Sequence, residues 1–81
     1  MNETIDQLTT KPDGSARHPS VAGVLKHFRY AHLPENLQKV SRPCAELAIL
    51  MADNIPENAD LTVGLRELLT AKDNFVRANL T

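Results

Sequence analysis

The strongest constraint on this chain is a spacing of three and four residues between apolar side chains, which recurs in three separate segments. Over residues 20–30 this spacing puts four side chains on one helical face: Val21, Val24, Leu25 and Phe28. An amphipathic helix is stable only when its apolar face is covered, so the three segments have to pack against one another. The pattern therefore predicts an all-α fold, with Ser20 capping the first helix.

The second and third segments are longer than the first. One begins at residue 34 or 35 and ends near residue 54, and the other runs from residue 59 or 60 to residue 78 or 79. Pro43 lies within the second pattern, where it predicts either a kink or a new helix start capped by Ser41. Because the turn between the two segments is short, we expect an antiparallel helical hairpin with the short first helix packed across it.

The first nineteen residues differ from the rest of the chain. They hold few apolar side chains, and turn-forming residues are concentrated between residues 9 and 15. Such a segment buries too little apolar surface to offset the entropy that it loses on ordering. We therefore expect a flexible arm over residues 1–19 and a folded domain over residues 20–81.

A folded unit of about sixty residues has a small core and usually relies on disulfides, metals or self-association. Cys44 is the only cysteine among the 81 residues, so an internal disulfide is excluded. Ile49 and Leu50 lie off the main apolar stripe and give the hairpin a second apolar face. These features together predict an oligomer.

Charge and motif content argue against several functional classes. With 9 basic and 10 acidic residues, the chain lacks the basic excess of a general DNA or RNA binder. No apolar run approaches the roughly 18 residues of a membrane span, and no signal-peptide pattern is present, so we expect a cytoplasmic protein. His27 and His32 are not spaced as a helical zinc pair, and no nucleophile or phosphate-loop motif accompanies them. We expect no enzymatic activity, no metal and no cofactor.

The richest cluster of chemical groups surrounds the break after the first helix. Its members are Lys26, His27, Phe28, Arg29, Tyr30, His32, Pro34 and, eight residues further, Arg42. The cluster offers a ring that can stack on a base, that of Tyr30, and several donors for phosphate oxygens. The competing interpretation places Phe28 in the core, Tyr30 at the helix end and the cations in solvent. Composition alone favours this second interpretation.

Short motifs between residues 28 and 79 resemble a known family. In order, they are FRYAHLP (28–34), VSRP (40–43), ELA (46–48), IP (55–56), ADLT (59–62), LRELL (65–69) and AK (71–72). They resemble the helical-hairpin domain of phage anti-CBASS sponges, a domain shared with a Thoeris anti-defence sponge. The resemblance implies a compact homohexamer that binds cyclic dinucleotides, and cyclic trinucleotides at separate sites, without cleaving them.

The same resemblance implies roles for individual residues. Tyr30 would stack on a base, and Arg42 would reach a phosphate from a neighbouring subunit. Cys44 stands where the family often has a small hydroxyl residue, and the C-terminal turn over residues 77–79 resembles a region used for trinucleotides. The candidate ligand-binding residues are therefore Tyr30, Arg42, Cys44, Lys26, His32, Arg77 and Asn79.

The resemblance also implies a biological role, with one alternative from another class. In the cytoplasm of an infected bacterium, the protein would sequester a cGAMP-like messenger and so block CBASS-type signalling. The alternative is a helical protein–protein interaction module with no nucleotide ligand. An enzyme that hydrolyses the messenger is less consistent with the sequence, which has no paired carboxylates. A DNA-binding helix-turn-helix is also less consistent with it, because the third helix has few basic residues.

Overall fold

Helices account for most of the chain in the computed structural model, which describes residues 5–80, with side chains described from residue 7. They are α1 (Ile5–Thr9), α2 (Pro19–Leu25), a 3₁₀ helix (Lys26–Phe28), α3 (Glu35–Asn54) and α4 (Ala59–Leu80). No strand is present between residues 5 and 80, where an isolated β-bridge joins Thr10 to Ala16. The predicted all-α class is confirmed.

Helix α3 matches its predicted bounds, and α4 begins as predicted but ends at Leu80, just beyond the predicted end at residue 78 or 79. Pro43 lies inside α3 without ending it, so the alternative of a new helix start at Ser41 is wrong. Helices α3 and α4 pack against each other, and Asn79 Nδ2 donates to the Asn36 carbonyl at 3.0 Å. At the other end, Asn58 Oδ1 accepts from the amide of Leu61 at 2.9 Å, which satisfies a free donor in the first turn of α4.

The first helix is shorter than predicted. It begins at Pro19, a residue suited to a first helical position because it lacks an amide hydrogen. The cap is the His18 side chain, which accepts from the Ser20 amide, so the assignment of Ser20 as the cap is wrong. After Leu25 the chain tightens into the 3₁₀ helix and then becomes extended at Arg29 (φ −60°, ψ 137°).

The core lies where α2, the 3₁₀ helix, α3 and α4 meet. α3 contributes small side chains and the other elements contribute larger ones, so the helices approach closely. The buried apolar residues are Leu8, Val21, Val24, Leu25, Phe28, Tyr30, Ala45, Ala48, Ala52, Leu61 and Leu65. Every helix within residues 5–80 is too short or too polar to span a bilayer.

The segment before α2 differs from the predicted flexible arm. Leu8 is 3% exposed and belongs to the core, and Arg17 is 5% exposed. Arg17 donates to the Gln7 carbonyl and to Asp53 on α3, while Lys11 forms an ion pair with Glu57 at 2.7 Å. The low apolar content of this segment led to the expectation of a flexible arm, because it takes no account of the ion pairs and backbone hydrogen bonds that fix the segment. The predicted arm also includes residues 1–4, and the predicted domain includes residue 81; both lie outside the described part of the chain.

Candidate functional site

A cleft of about 470 Å³ lies between the segment around the 3₁₀ helix and the C-terminal half of α4. This volume falls within the roughly 300–1,000 Å³ of small-molecule sites. The 3₁₀ helix and the following loop form one wall, α4 forms another, and α3 contributes Ser41. The lining residues are Lys26, His27, Arg29, His32, Leu33, Ser41, Lys72, Asp73, Val76 and Arg77.

The lining of this cleft, which we call the basic cleft, is strongly positive. The lining has four basic side chains, those of Lys26, Arg29, Lys72 and Arg77, and a single carboxylate, that of Asp73. Two histidines add further hydrogen-bonding nitrogens to the same wall. A chain with a formal net charge of −1 therefore concentrates positive charge in one concave surface. Such a surface attracts small anions.

Lys72 joins the two walls of the basic cleft. Its ammonium donates to the His27 carbonyl at 3.1 Å and lies 2.9 Å from Asp73 Oδ1. It also sits 5.9 Å from the centre of the Phe28 ring, a cation–π distance. Only 13% of its side chain is exposed, so its charge is partly shielded from bulk water. An anion in the cleft would meet this ammonium in an environment where water screens it less.

The other cations differ in how far they are already engaged. Arg77 Nη2 donates to Asn74 Oδ1 at 2.5 Å, which orients its guanidinium. Lys26 and Arg29 take part in none of the four ion pairs found among residues 7–80, and both are exposed. Their donors are thus available to a ligand without breaking an internal ion pair.

Ser41 is the unusual residue of the basic cleft. It lies on α3 with 1% of its surface exposed, and its hydroxyl has no hydrogen-bond partner among the described residues. A buried helical serine commonly donates to the carbonyl four residues earlier, but Ser41 does not. A buried polar group without a partner costs stability, so its presence in a ligand-sized cleft calls for a functional explanation.

Three of the predicted ligand-binding residues come together in this cleft: Lys26, His32 and Arg77. Tyr30, the predicted stacking platform, is 2% exposed and belongs to the core. The extended turn at Arg29 directs the chain so that the Tyr30 ring packs inside, and in this structure it cannot stack on a base. The competing interpretation was right to put Phe28 in the core, but Tyr30 lies there as well.

The remaining predicted residues do not line the cleft. Arg42 forms an exposed ion pair with Glu46 at 3.3 Å on α3. Cys44 packs partly buried against the core, where burial raises the pKa of its thiol against an opposing effect of Lys72. Asn79 is engaged with the Asn36 carbonyl. Within one chain, Tyr30 and Arg42 therefore do not form a common site.

Seven of the ten lining residues are absent from the predicted ligand-binding list. His27 and Arg29 belong to the basic cluster noted in the sequence, whereas Lys72 and Ser41 lie outside it. Lys72 had a signal, because it is a cation on an otherwise apolar helical stripe. Ser41 had none, since its importance rests on burial and on the missing partner. In the part of the chain that the structure describes, no group of three His, Cys, Asp or Glu side chains could hold a metal ion.

No family model, curated protein or solved structure matches this chain.

Proposed function

We propose that this protein binds a cyclic di- or trinucleotide in the basic cleft and sequesters it without cleaving it. The observation that carries this proposal is the concentration of Lys26, Arg29, Lys72 and Arg77 around one ligand-sized cavity. A ligand with several phosphodiesters matches these cations better than a ligand with a single carboxylate does. The formal net charge of −1 for the whole chain favours a small, specific anion over a nucleic acid polymer.

Sequestration rather than turnover is supported by the chemistry of the lining. The cations and the histidine nitrogens offer donors that hold phosphate oxygens. Asp73 is the one carboxylate among the lining residues, and it is paired with Lys72 at 2.9 Å. A carboxylate that acts as a general base has to be free to accept a proton from an attacking water. The pairing of Asp73 suits charge balance better than proton abstraction.

Self-association is part of the proposal. Six large apolar side chains are at least 39% exposed: Leu47, Leu50, Ile55, Val63, Phe75 and Leu80. Their number is high for a chain this small, and covering them would add to a modest core. We propose a homohexamer of antiparallel helical hairpins, as the resemblance of residues 28–79 implies. In such an assembly Arg42, exposed on α3, would remain available to a ligand bound by a neighbouring subunit.

The biological role follows from the resemblance to phage anti-CBASS sponges. A protein that holds a cyclic messenger in the cytoplasm of an infected bacterium lowers the concentration seen by the host effector. Tight binding is required because the messenger is scarce. Several charge-assisted contacts in a partly enclosed cleft provide such affinity.

The test is binding of cyclic di- and trinucleotides by native mass spectrometry and calorimetry at low salt. We expect whole-number uptake, release of intact nucleotide on heating, and weakening by added salt. Lys26→Ala and Arg29→Ala should each lower the affinity by about tenfold, the size of one charged hydrogen bond. Arg66→Ala, an exposed cation on α4 that does not line the cleft, is the matched control.

The results of these binding measurements test the proposed function and the proposed site separately. If the wild-type protein binds no member of the panel, the sponge proposal is wrong. If it binds but Lys26→Ala and Arg29→Ala behave like Arg66→Ala, the ligand lies elsewhere than in the basic cleft.

One observation favours the alternative of a protein-interaction module. An apolar groove of about 330 Å³ runs between the end of α3 and the first half of α4, with Met51, Ile55 and Leu68 among its lining. Such a groove suits an apolar side chain of another protein. A stoichiometric protein partner, together with no nucleotide binding, would favour this function instead.

A further inference from the structure

Ser41 adds a specific ligand contact to the proposed function. We infer that the Ser41 hydroxyl hydrogen-bonds a phosphate oxygen of the ligand on the inner wall of the basic cleft, and that the protein retains this hydroxyl at the expense of its own stability. The inference rests on the proposed function, because it assigns a ligand contact within the same cleft.

The state of the Ser41 hydroxyl in this structure is unfavourable. Its oxygen is shielded from water and has no partner among the described residues, although Ser41 lines a cavity of about 470 Å³. Burying a hydroxyl without a hydrogen bond is unfavourable. A buried position in a helix is better filled by alanine, which has no polar group to satisfy and a higher helix propensity. Stability alone therefore does not explain serine here.

The groups that line the cleft do not satisfy the Ser41 hydroxyl. Four of them, on Lys26, Arg29, Lys72 and Arg77, carry donors only, and the one carboxylate, that of Asp73, is paired with Lys72 at 2.9 Å. Cationic groups have no acceptor to offer. A serine hydroxyl can donate its own hydrogen, so an anionic oxygen drawn in by these cations would complete it. A phosphate oxygen is such an acceptor, and its bond with a hydroxyl is charge-assisted.

Ser41 is buried more deeply than the cations at the mouth of the cleft. The exposed cations Lys26 and Arg29 lie at the surface, whereas the Ser41 oxygen is shielded from bulk solvent. Because a water molecule does not reach the Ser41 oxygen in this structure, a phosphate oxygen contacts it only when the cleft wall around Ser41 shifts on binding. Surface cations attract any anion of suitable charge. Ser41 selects those with a phosphate oxygen that extends to the inner wall.

The experiment measures stability and binding in the same variant. Ser41→Ala should raise Tm by about 4 °C or more, because it removes an unsatisfied buried hydroxyl. It should also lower the affinity for a cyclic dinucleotide by about fivefold to tenfold, the size of one hydrogen bond. The two effects have opposite directions, which a purely structural role would not produce.

Thr70→Ala is the matched control. Thr70 is an exposed hydroxyl residue inside α4 whose Oγ1 already donates to the Arg66 carbonyl at 3.2 Å. Its replacement makes a similar change in helix propensity, and Thr70 does not line the cleft. We expect its affinity to equal that of the wild type.

Cyclic di-GMP, whose phosphodiesters stay ionised across the neutral range, is a suitable first probe, followed by the other cyclic di- and trinucleotides. If a nucleotide binds equally well to the wild type and to Ser41→Ala, the inference is overturned while the proposed function stands. If Ser41→Ala lowers Tm, the hydroxyl contributes to folding and the inference is also overturned. A wild type that binds no nucleotide of the panel would remove the proposed function and this inference with it.

Discussion

The substitution Asp53→Asn tests whether a buried ion pair holds the N-terminal segment against α3. Arg17 Nη2 lies 2.5 Å from Asp53 Oδ1, with the two side chains 1% and 26% exposed. Asparagine keeps an acceptor oxygen but removes the negative charge. The guanidinium would then remain in a nearly dry environment without a counter-ion, which is unfavourable.

The magnitude follows from how deeply the pair is buried. Removing one partner of a fully buried pair costs about 3–5 kcal/mol. Water reaches part of Asp53, and asparagine retains one hydrogen bond to Arg17, so we expect about 2–3 kcal/mol. A chain of this length has a total stability of about 4–12 kcal/mol. The same loss corresponds to a Tm lower by about 10–20 °C.

The assay is urea denaturation followed by circular dichroism, with Tm measured in parallel. Glu46→Gln is the control, because it breaks the Arg42–Glu46 pair, whose side chains are 43% and 55% exposed. That pair should contribute less than about 0.5 kcal/mol. A double variant, Arg17→Met with Asp53→Leu, removes both charges and should be more stable than Asp53→Asn. If Asp53→Asn were no worse than Glu46→Gln, the reasoning about burial would be refuted.

Three further predictions concern single side chains. Hydrogen bonds from Lys11 and from the His18 amide hold the pKa of Glu57 below its ordinary value of 4.5. The stability that Glu57 contributes is therefore complete above pH 4.5 and is lost as the pH falls through the lower pKa of the folded state. Glu57→Gln should flatten the acid side of a Tm–pH curve, and an unchanged curve would contradict the assignment. Burial raises the pKa of the Cys44 thiol, so iodoacetamide at pH 8 should alkylate it more slowly than a free cysteine, and unfolding in urea should abolish the difference. Tyr30→Ala should lower stability by about 3–5 kcal/mol because the ring is 2% exposed; a loss of nucleotide affinity at constant Tm would instead support a surface stacking role.

Periodicity predicted the long helices well and the N-terminal segment poorly, and the reason is physical. Helices α3 and α4 are amphipathic over many turns, so local spacing determines both their type and their ends. The segment before α2 is held by contacts between residues far apart in sequence, such as Arg17 with Asp53. Ion pairing at a distance of 36 positions leaves no periodic signal. The sequence shows how few apolar residues this segment has, but it does not show which polar contacts the segment makes.

The candidate site was predicted in part for a similar reason. The basic cluster after the first helix is continuous in sequence, so Lys26 and His32 were recognisable. The direction in which each side chain points depends on the turn at Arg29, which sends Tyr30 inward. The opposite wall comes from α4, more than forty residues further along the chain. Only packing of α4 beside the 3₁₀ helix brings Lys72 and Arg77 to the same cavity.

Lys72 shows how the site and the fold are connected. It occupies a position on the buried stripe of α4 where an apolar residue would pack more simply, and its ammonium is held by the His27 carbonyl and Asp73. A lysine can occupy such a position because its aliphatic stem packs while its charge reaches a polar edge. The same contacts fix the 3₁₀ helix against α4 and so set the width of the basic cleft. An anion that enters the cleft competes with Asp73 for this ammonium, so ligand binding and the packing of the two walls are expected to depend on each other.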